Sequence, residues 1–504
     1  MKSREPRAAS SRSIDFHSAI SRFPHRASAL GFAQFAVKRI VGLETEFGCL
    51  ATRPDERGAE SWPARIKNHL FKKARVGALD KHHRDYEEPP GNGGFLLNGG
   101  RFYLDMGHLE YATPECRSVR DVVAYDLAGD AMIQASLDAM GIADDVSFLK
   151  NNVDHHTGAT FGCHENYLMF RETEFTPEAL GSLLSFLATR QIFSGSGRVG
   201  QADPATYEIE PLPPFDKVDF QLSQRADHIM NDVYQWVQFN RAIINARDEP
   251  LADYRKYRRL HLLIGDSNMS PFATALKVGT TNLVLTLLEE GRLPSNVLLQ
   301  DAVFATRSVS RSGRPDGPVT LYDGRQETAL GVQEKFHAAA VEALAGRDEE
   351  TDWVLEQWAF VLDGLRANDL EMLLGAVDWA SKKWLLETFR AEQGLAWNDP
   401  WLQSLDLEYH NINPARGLFF ALPASSETGE FNLRIRRESA LREPPQDTRA
   451  KGRGIVVERF METQMPYIVN WDSVAAADLH VLSMSDPFQT YETNARALVE
   501  SAMM

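Results

Sequence analysis

The residues best equipped for chemistry lie between Gly100 and Glu115, which reads Gly-Arg-Phe-Tyr-Leu-Asp-Met-Gly-His-Leu-Glu-Tyr-Ala-Thr-Pro-Glu. In an extended chain successive side chains alternate faces, so Arg101, Tyr103 and Asp105 share one side and Phe102, Leu104 and Met106 the other. One face then carries a cation, a phenol and a carboxylate, and the other is apolar. Gly107 lets the chain bend, after which Glu110 swings back toward the polar face. Upstream, Val41-Gly42-Leu43-Glu44-Thr45-Glu46-Phe47-Gly48 repeats the pattern, with Glu44 and Glu46 on one side and Leu43, Thr45 and Phe47 on the other. Several carboxylates and a phenol with no lysine among them suit a hard divalent cation such as Mg²⁺, which takes oxygen ligands and shares them with phosphates. The same alternation equally describes the polar face of an antiparallel sheet in contact with water.

The elements that must position these residues are legible in outline. Ser118 is placed to cap a helix to about Met140, with Val119, Val122, Val123 and Leu127 at helical spacing and Gly141 as its stop. Strands are expected around 147–150 and 162–170, where His164 and Asn166 share a face. Helices are expected from Thr176-Pro177 toward Ile192, from Pro271 to about Gly291, and almost throughout 326–390. A short basic amphipathic piece at 64–73 precedes the loop signal Pro89-Pro90-Gly91-Asn92-Gly93-Gly94. Beyond Leu422 the character changes, and Arg453–Phe460 and Met465–Trp471 read as short strands of a small second domain.

Other chemistries find little support. There is no Gly-x-Ser-x-Gly elbow and no phosphate-binding P-loop. Gly195-Ser196-Gly197-Arg198-Val199-Gly200 matches a dinucleotide fingerprint in letters only, because a helix rather than a strand precedes it; a turn is expected, with Arg198 on its tip. His108-Leu109-Glu110 lacks the nearby second histidine that a zinc site wants. The run Asp253–His261 is densely basic, as a solvated face often is.

The 504 residues suffice for two or more domains, with 43% hydrophobic and 25% charged content in the ordinary globular range. A net charge of −16 argues against a general nucleic-acid partner, which would need a basic surface. With Cys49, Cys116 and Cys163 as the full cysteine complement, no disulfide framework is expected, in keeping with a reducing cytoplasm. No uninterrupted apolar run of spanning length is seen, so a soluble, cytoplasmic protein without a membrane partner is expected. Residues 1–36, rich in Ser, Ala and Arg, read as a poorly ordered extension.

Gly42-Leu43-Glu44-Thr45-Glu46-Phe47-Gly48, Asn98-Gly99-Gly100-Arg101-Phe102-Tyr103-Leu104-Asp105 and Glu110-Tyr111-Ala112-Thr113 closely resemble the family of the ligase that attaches the prokaryotic ubiquitin-like modifier Pup to lysines. They also resemble its sister enzyme, the Pup deamidase and depupylase. The similarity continues through Lys150-Asn151-Asn152, Gly162-Cys163-His164-Glu165-Asn166-Tyr167, Ser223-Gln224-Arg225-Ala226, Lys256–His261, Gly265–Ser270, Asp378-Trp379 and Leu405–His410.

The resemblance implies an α+β fold like that of glutamine synthetase: a curved antiparallel sheet forming a cradle, helices behind it, and a small C-terminal domain contributing to the nucleotide site. It implies a catalytic domain at 37–422 and the small domain at 423–504. Carried over residue by residue, Glu44, Tyr103 and Glu110 correspond to Mg²⁺ ligands, Arg101 and Thr113 to ATP contacts, Asp105 to the catalytic base, and Trp471 to a tryptophan touching the nucleotide. The gap from Asp105 to Glu110 is one residue shorter than the family pattern. The implied reaction joins the side-chain carboxylate of the modifier's C-terminal glutamate to a lysine of a target protein through a γ-glutamyl phosphate, marking the target for proteasomal degradation. The alternative is hydrolysis of the modifier's terminal amide or of the isopeptide link. The segment between Gly48 and Asn98 lacks the long extra loop of the deamidase, and this favours the ligase.

Overall fold

The computed structural model describes residues 39–52, 61–84, 88–155, 157–202, 217–235, 241–422, 437–463, 467–476 and 480–501. The extension expected at 1–36 lies outside them. Alternation makes the first strand, β1 (Val41–Ala51): Val41, Leu43, Thr45 and Phe47 are buried, while Gly42, Glu44 and Glu46 between them are partly open. There follow β2 (Gly77–Leu79), β3 (Gly93–Leu96), β4 (Arg101–Asp105), β5 (His108–Ala112), β6 (Val146–Leu149) and β7 (Cys163–Phe170). A two-residue pair, β8 (Arg198–Val199) and β9 (Phe220–Gln221), stands apart from β10 (Asn231–Tyr234), β11 (Ala242–Asn245) and β12 (Tyr257–Leu262).

Ten of these strands form one sheet in the order β10-β11-β12-β7-β1-β5-β4-β3-β2, with β6 on the far end of β1. The expectation of a purely antiparallel sheet needs one correction, since β10 and β11 run parallel at the edge. The sheet and the helices packed on its apolar face form an α+β fold around one large core. Helix Val119–Met140 lies behind β1, its Ser118 hydroxyl accepting the Asp121 N–H and Gly141 closing it at φ 65°. The approach is close: a Cβ on Gly129 would sit 2.4 Å from the Tyr111 ring. Helix Pro271–Glu289, capped by Ser270, is apolar and long enough to cross a membrane, but most of it is buried inside the protein.

Several sequence expectations are corrected. Arg453–Phe460 belongs to a helix, Ala450–Thr463, with Val456, Val457 and Phe460 buried on one side. A short apolar run does not by itself distinguish strand from helix. Strand Tyr467–Val469 does form, but Trp471 falls in the turn after it. The stretch 326–390 begins with a strand residue pair partner, Gln326–Thr328, and is then broken into helices Ala329–Leu344, Glu349–Ala367 and Asp378–Gln393. Met106 leaves the apolar face of β4 and is 73% exposed in the following turn.

The C-terminal strands and helices Ala450–Thr463 and Glu492–Ser501 share a second apolar cluster with Ala78, Phe95 and Leu97 from the β2–β3 edge. A charged clasp reinforces that contact. Glu115 Oε1 accepts from Arg449 Nε at 2.7 Å and Arg453 Nη1 at 3.2 Å, and Oε2 from Arg453 Nη2. Burial works to raise the Glu115 carboxyl, but the Arg453 and Arg449 guanidiniums overcome it and hold it at about 2. A carboxyl depressed by folding stabilises above its ordinary value of 4.5 and loses that contribution as pH falls toward 2. Glu115→Ala is therefore expected to cost about 3–5 kcal/mol in denaturant melts at neutral pH, because it strands two buried cations. The gap between wild type and variant should close between pH 4.5 and 2.

Candidate active site

Register builds the site. Met106 at φ 45° and Gly107 at φ 92° form a two-residue turn of the primed kind, which pairs Asp105 with His108 and Tyr103 with Glu110. On the other side of β5, Glu110 pairs with Glu46 of β1. Glu46, Glu110 and Tyr103 thus lie in one row across three strands. In the next row Ala112 separates Glu44 from Arg101, and Glu44 pairs with His164 of β7. Glu46, Asp105 and Glu110 each offer a carboxylate oxygen within 4.8 Å of the others.

Electrostatics follow from that crowding. Burial, then the charges of Glu46 and Glu44, push the Glu110 carboxyl well above the carboxylate range, although Tyr103 donates to it at 2.5 Å. Burial likewise raises the Tyr103 phenol, and the Glu110 and Glu44 charges add to it. Glu46 is held down despite burial, because His108, His164, the Gly162 N–H side of the loop and Arg225 favour its charged form. Glu44 is held far down despite burial: His164 Nδ1 lies 3.2 Å from Oε2, Asn166 donates to Oε1 at 3.1 Å, and His261 is 3.8 Å away. Burial pushes His261 down to about 3, and neither of its ring nitrogens has a hydrogen-bond partner among the described residues. A Cβ on Gly162 would fall 2.7 Å from Glu46 Oε1, so the loop beside the acids has no room for a side chain.

The residues expected to contact a nucleotide flank this centre. Arg101 is buried beside Tyr103, its guanidinium 4.6 Å from that ring, and Nη2 donates to Glu88 at 2.6 Å and Asp80 at 3.1 Å. The Thr113 hydroxyl accepts the Leu43 N–H at 3.0 Å, which fixes it against β1 and leaves its own O–H able to donate. Trp471 meets Phe95 of β3 edge-on at 4.9 Å, with the Arg453 guanidinium 4.8 Å from its ring.

Glu44, Tyr103, Asp105 and Glu110 therefore meet, with Arg101 next to them. Arg198 departs from expectation: it is buried in β8 against His228 at 3.3 Å, on no exposed tip. The basic run is split by strand alternation, so Arg258 donates to Arg171 O at 2.8 Å while Arg259 turns to the polar face, 3.4 Å from Asn166 Oδ1. Sequence reasoning left Glu46 out of the ligand set although it alternates with Glu44. It placed His164 and Asn166 on one face without seeing that Glu44 is their partner. His261 and Asp80 reach the site through β12–β7 pairing and a loop, which no local pattern announces. Glu46, Asp105 and Glu110 offer oxygen donors close enough to one another that they could hold a hard divalent cation.

The profile of the Pup-ligase protein family matches residues 39–475. The Pup--protein ligase of Acidimicrobium ferrooxidans is 37% identical over 476 residues, covering 92% of this chain and 99% of that protein. The Pup--protein ligase of Mycobacteroides abscessus is 36% identical, with the same coverage of 92% and 99%. Two solved structures are similar over nearly the whole chain. The complex between Pup and its ligase PafA has a TM-score of 0.75 at 30% identity, covering 93% of this chain and 92% of the other. The Pup ligase PafA in complex with ADP has a TM-score of 0.71 at 31% identity, covering 90% and 96%. The family profile spans both the sheet that carries the acids and the segment that carries Trp471, and the chain belongs to the Pup ligase family.

Proposed function

We propose that this protein is an ATP-dependent ligase that joins the side-chain carboxylate of a Pup-like modifier's C-terminal glutamate to a lysine of a target protein. The observation that carries the reading is the meeting of Glu44, Glu46, Tyr103, Asp105 and Glu110 on one sheet face, next to Arg101. Likeness to a ligase solved with Pup and to one solved with ADP supports a Pup-like protein and an adenine nucleotide as the ligands here. The deamidase reading would use the same acids, but the relatives compared are named as ligases, which favours ligation.

The chemistry follows from the reactants. A carboxylate becomes an acylating agent when one oxygen is made a leaving group, and phosphorylation by ATP does this. Under this reading Arg101 and Thr113 bind the phosphates and Trp471 the base. Glu44, Tyr103 and Glu110, with Glu46 alongside, would hold Mg²⁺, which when bound supplies neutralising charge for the phosphoryl group in transfer. Tyr103 offers its phenol oxygen to that ion from the same row as Glu46 and Glu110. Asp105, at the end of β4 and beside Glu46 and Glu110, accepts the proton of the attacking lysine amine. Collapse of the acyl phosphate then yields the isopeptide bond and phosphate.

Under this reading the sheet forms a glutamine synthetase-like cradle, the catalytic domain spans 37–422, and the small domain at 423–504 completes the nucleotide end in a cytoplasmic enzyme. Arg259, with the exposed Arg255 and Lys256 beyond it, adds positive charge along the path of an acidic modifier.

Incubation with ATP, Mg²⁺, a modifier ending in glutamate and a lysine-bearing target should give a conjugate of the combined mass, together with ADP. Release of ammonia from a glutamine-ended modifier, without conjugate, would overturn the reading. Asp105→Asn should slow conjugation by about 10²–10⁴-fold while ADP binding, followed by calorimetry, is retained. Glu110→Gln should raise the melting temperature in chelator at neutral pH, because it removes a carboxyl whose charged form the fold opposes, and should shrink the further rise that Mg²⁺ gives to wild type.

A further inference from the structure

Trp471 sits at the tip of the turn between strands Tyr467–Val469 and Ser473–Ala476, closed by the Asn470 N–H donating to Ser473 O at 2.8 Å. A turn tip has little packing of its own to fix it, and here two guanidiniums hold it. Arg453 Nη1 donates to Trp471 O at 2.7 Å. From a different segment of the chain, Arg84 Nη1 donates to Asn470 Oδ1 at 2.6 Å and Nη2 to Val469 O.

Arg84 comes from the loop after β2, and Asp80 aims it. Arg84 Nε meets Asp80 Oδ2 at 2.6 Å and Nη2 meets Oδ1 at 2.9 Å, a fork that fixes direction as well as distance. Asp80 Oδ2 also accepts Arg101 Nη2 at 3.1 Å. Both members of the Asp80–Arg84 pair are sheltered, with side-chain exposures of 3% and 14%. A hydrogen-bonded chain therefore runs from Arg101 through Asp80 and Arg84 to Asn470, the neighbour of Trp471. Phe95 lies beneath it, its ring centroid 5.2 Å from the Arg84 guanidinium, 5.8 Å from that of Arg101 and 4.9 Å from the Trp471 ring.

We infer that Asp80 and Arg84 are a positioning couple for the nucleotide: they set Trp471 against the purine base in register with the hold of Arg101 on the phosphates. The inference rests on the reading that Arg101 and Trp471 contact ATP. It makes Arg84 a determinant of nucleotide affinity, separate from modifier binding and from the chemical step. Arginine is the residue for this task, because a lysine has no fork with which to hold Asp80 and two acceptors on the turn at once.

The test uses the full chain with Arg84→Ala, Arg84→Lys, Asn470→Ala and the double variant Arg84→Ala/Asn470→Ala. Calorimetry reads ADP affinity; steady-state kinetics read KM for ATP, KM for the modifier and kcat at saturating ATP. Arg84→Ala and Asn470→Ala should each weaken ADP and raise KM for ATP by about tenfold, the loss of one charge-assisted hydrogen bond. The double variant should be no worse than Arg84→Ala alone, because both cut the same chain. Arg84→Lys should not restore affinity, and modifier KM and saturating kcat should stay at wild-type values. Unchanged ADP affinity in both single variants, or equal losses in nucleotide and modifier KM, would overturn the inference. Should Arg84→Ala fail to fold, Asn470→Ala, which removes one acceptor on a surface turn, decides the matter by the same readouts. Failure of wild type to bind ADP would instead sink the underlying reading of Arg101 and Trp471, and the inference with it.

Discussion

Mutual repulsion among carboxylates on one face of a sheet is the constraint around which this protein is arranged. Antiparallel pairing of β1, β5 and β4 brings Glu46, Glu110 and Tyr103 into one row and Glu44 into the next, at separations that strand spacing dictates. Left to itself the row is unfavourable, and the displacement of Glu110 toward its protonated form records the cost. His164 and Arg259 favour the charged form of Glu44, to which Asn166 also donates, while His108, His164 and Arg225 favour that of Glu46. The centre between them keeps its excess of oxygen donors, which is what a cation bound to a nucleotide requires.

Buried polar networks explain why so many of the recognisable motifs lie away from this centre. Asp266 accepts from the N–H groups of Ser196, Gln224 and Arg225 and from the Ser223 hydroxyl. Asp378 accepts from Asn268 Nδ2 and the Tyr409 hydroxyl, and Lys382 is held by Asp406, Gly197 O and His410. These contacts fix loops that sequence alone would leave unplaced. Their outlet is Arg225, which donates to Phe161 O at 2.7 Å, while the Phe161 ring packs on His108 at 4.8 Å. The interior thereby sets the wall against which Glu46 rests. Every member must keep its partner, because an unpaired polar group in such a network costs more than the pair contributes.

The boundary between the sheet edge and the C-terminal elements is fixed by different means. Phe95 and Leu97 give the C-terminal elements an apolar seat, and Glu115 clamps Arg449 and Arg453 across the same boundary. Arg453 serves twice, since it also faces the Trp471 ring. Stability of the boundary and the position of Trp471 are consequently carried by overlapping residues.

Periodicity made β1, β4 and β7 legible, because a residue's face in a strand depends only on odd or even position; hence the grouping of Glu44 with Glu46, and of Arg101 with Tyr103 and Asp105. A cap at Ser118 and the prolines Pro177 and Pro271 made the helices that begin there legible for a similarly local reason. The family likeness supplied roles that periodicity cannot. Pairing register was out of reach: that Glu46 faces Glu110, that His261 stands next to Asn166, and that Asp80 serves both Arg84 and Arg101 depend on which strands and loops become neighbours. The helix at Ala450–Thr463 was misread because a short apolar run fits two periods, and packing on Phe95 chose between them. The sequence by itself thus determined which side chains share a face, a property of each segment alone. Only the tertiary structure decided which faces meet, because strand pairing and charge compensation join residues hundreds of positions apart.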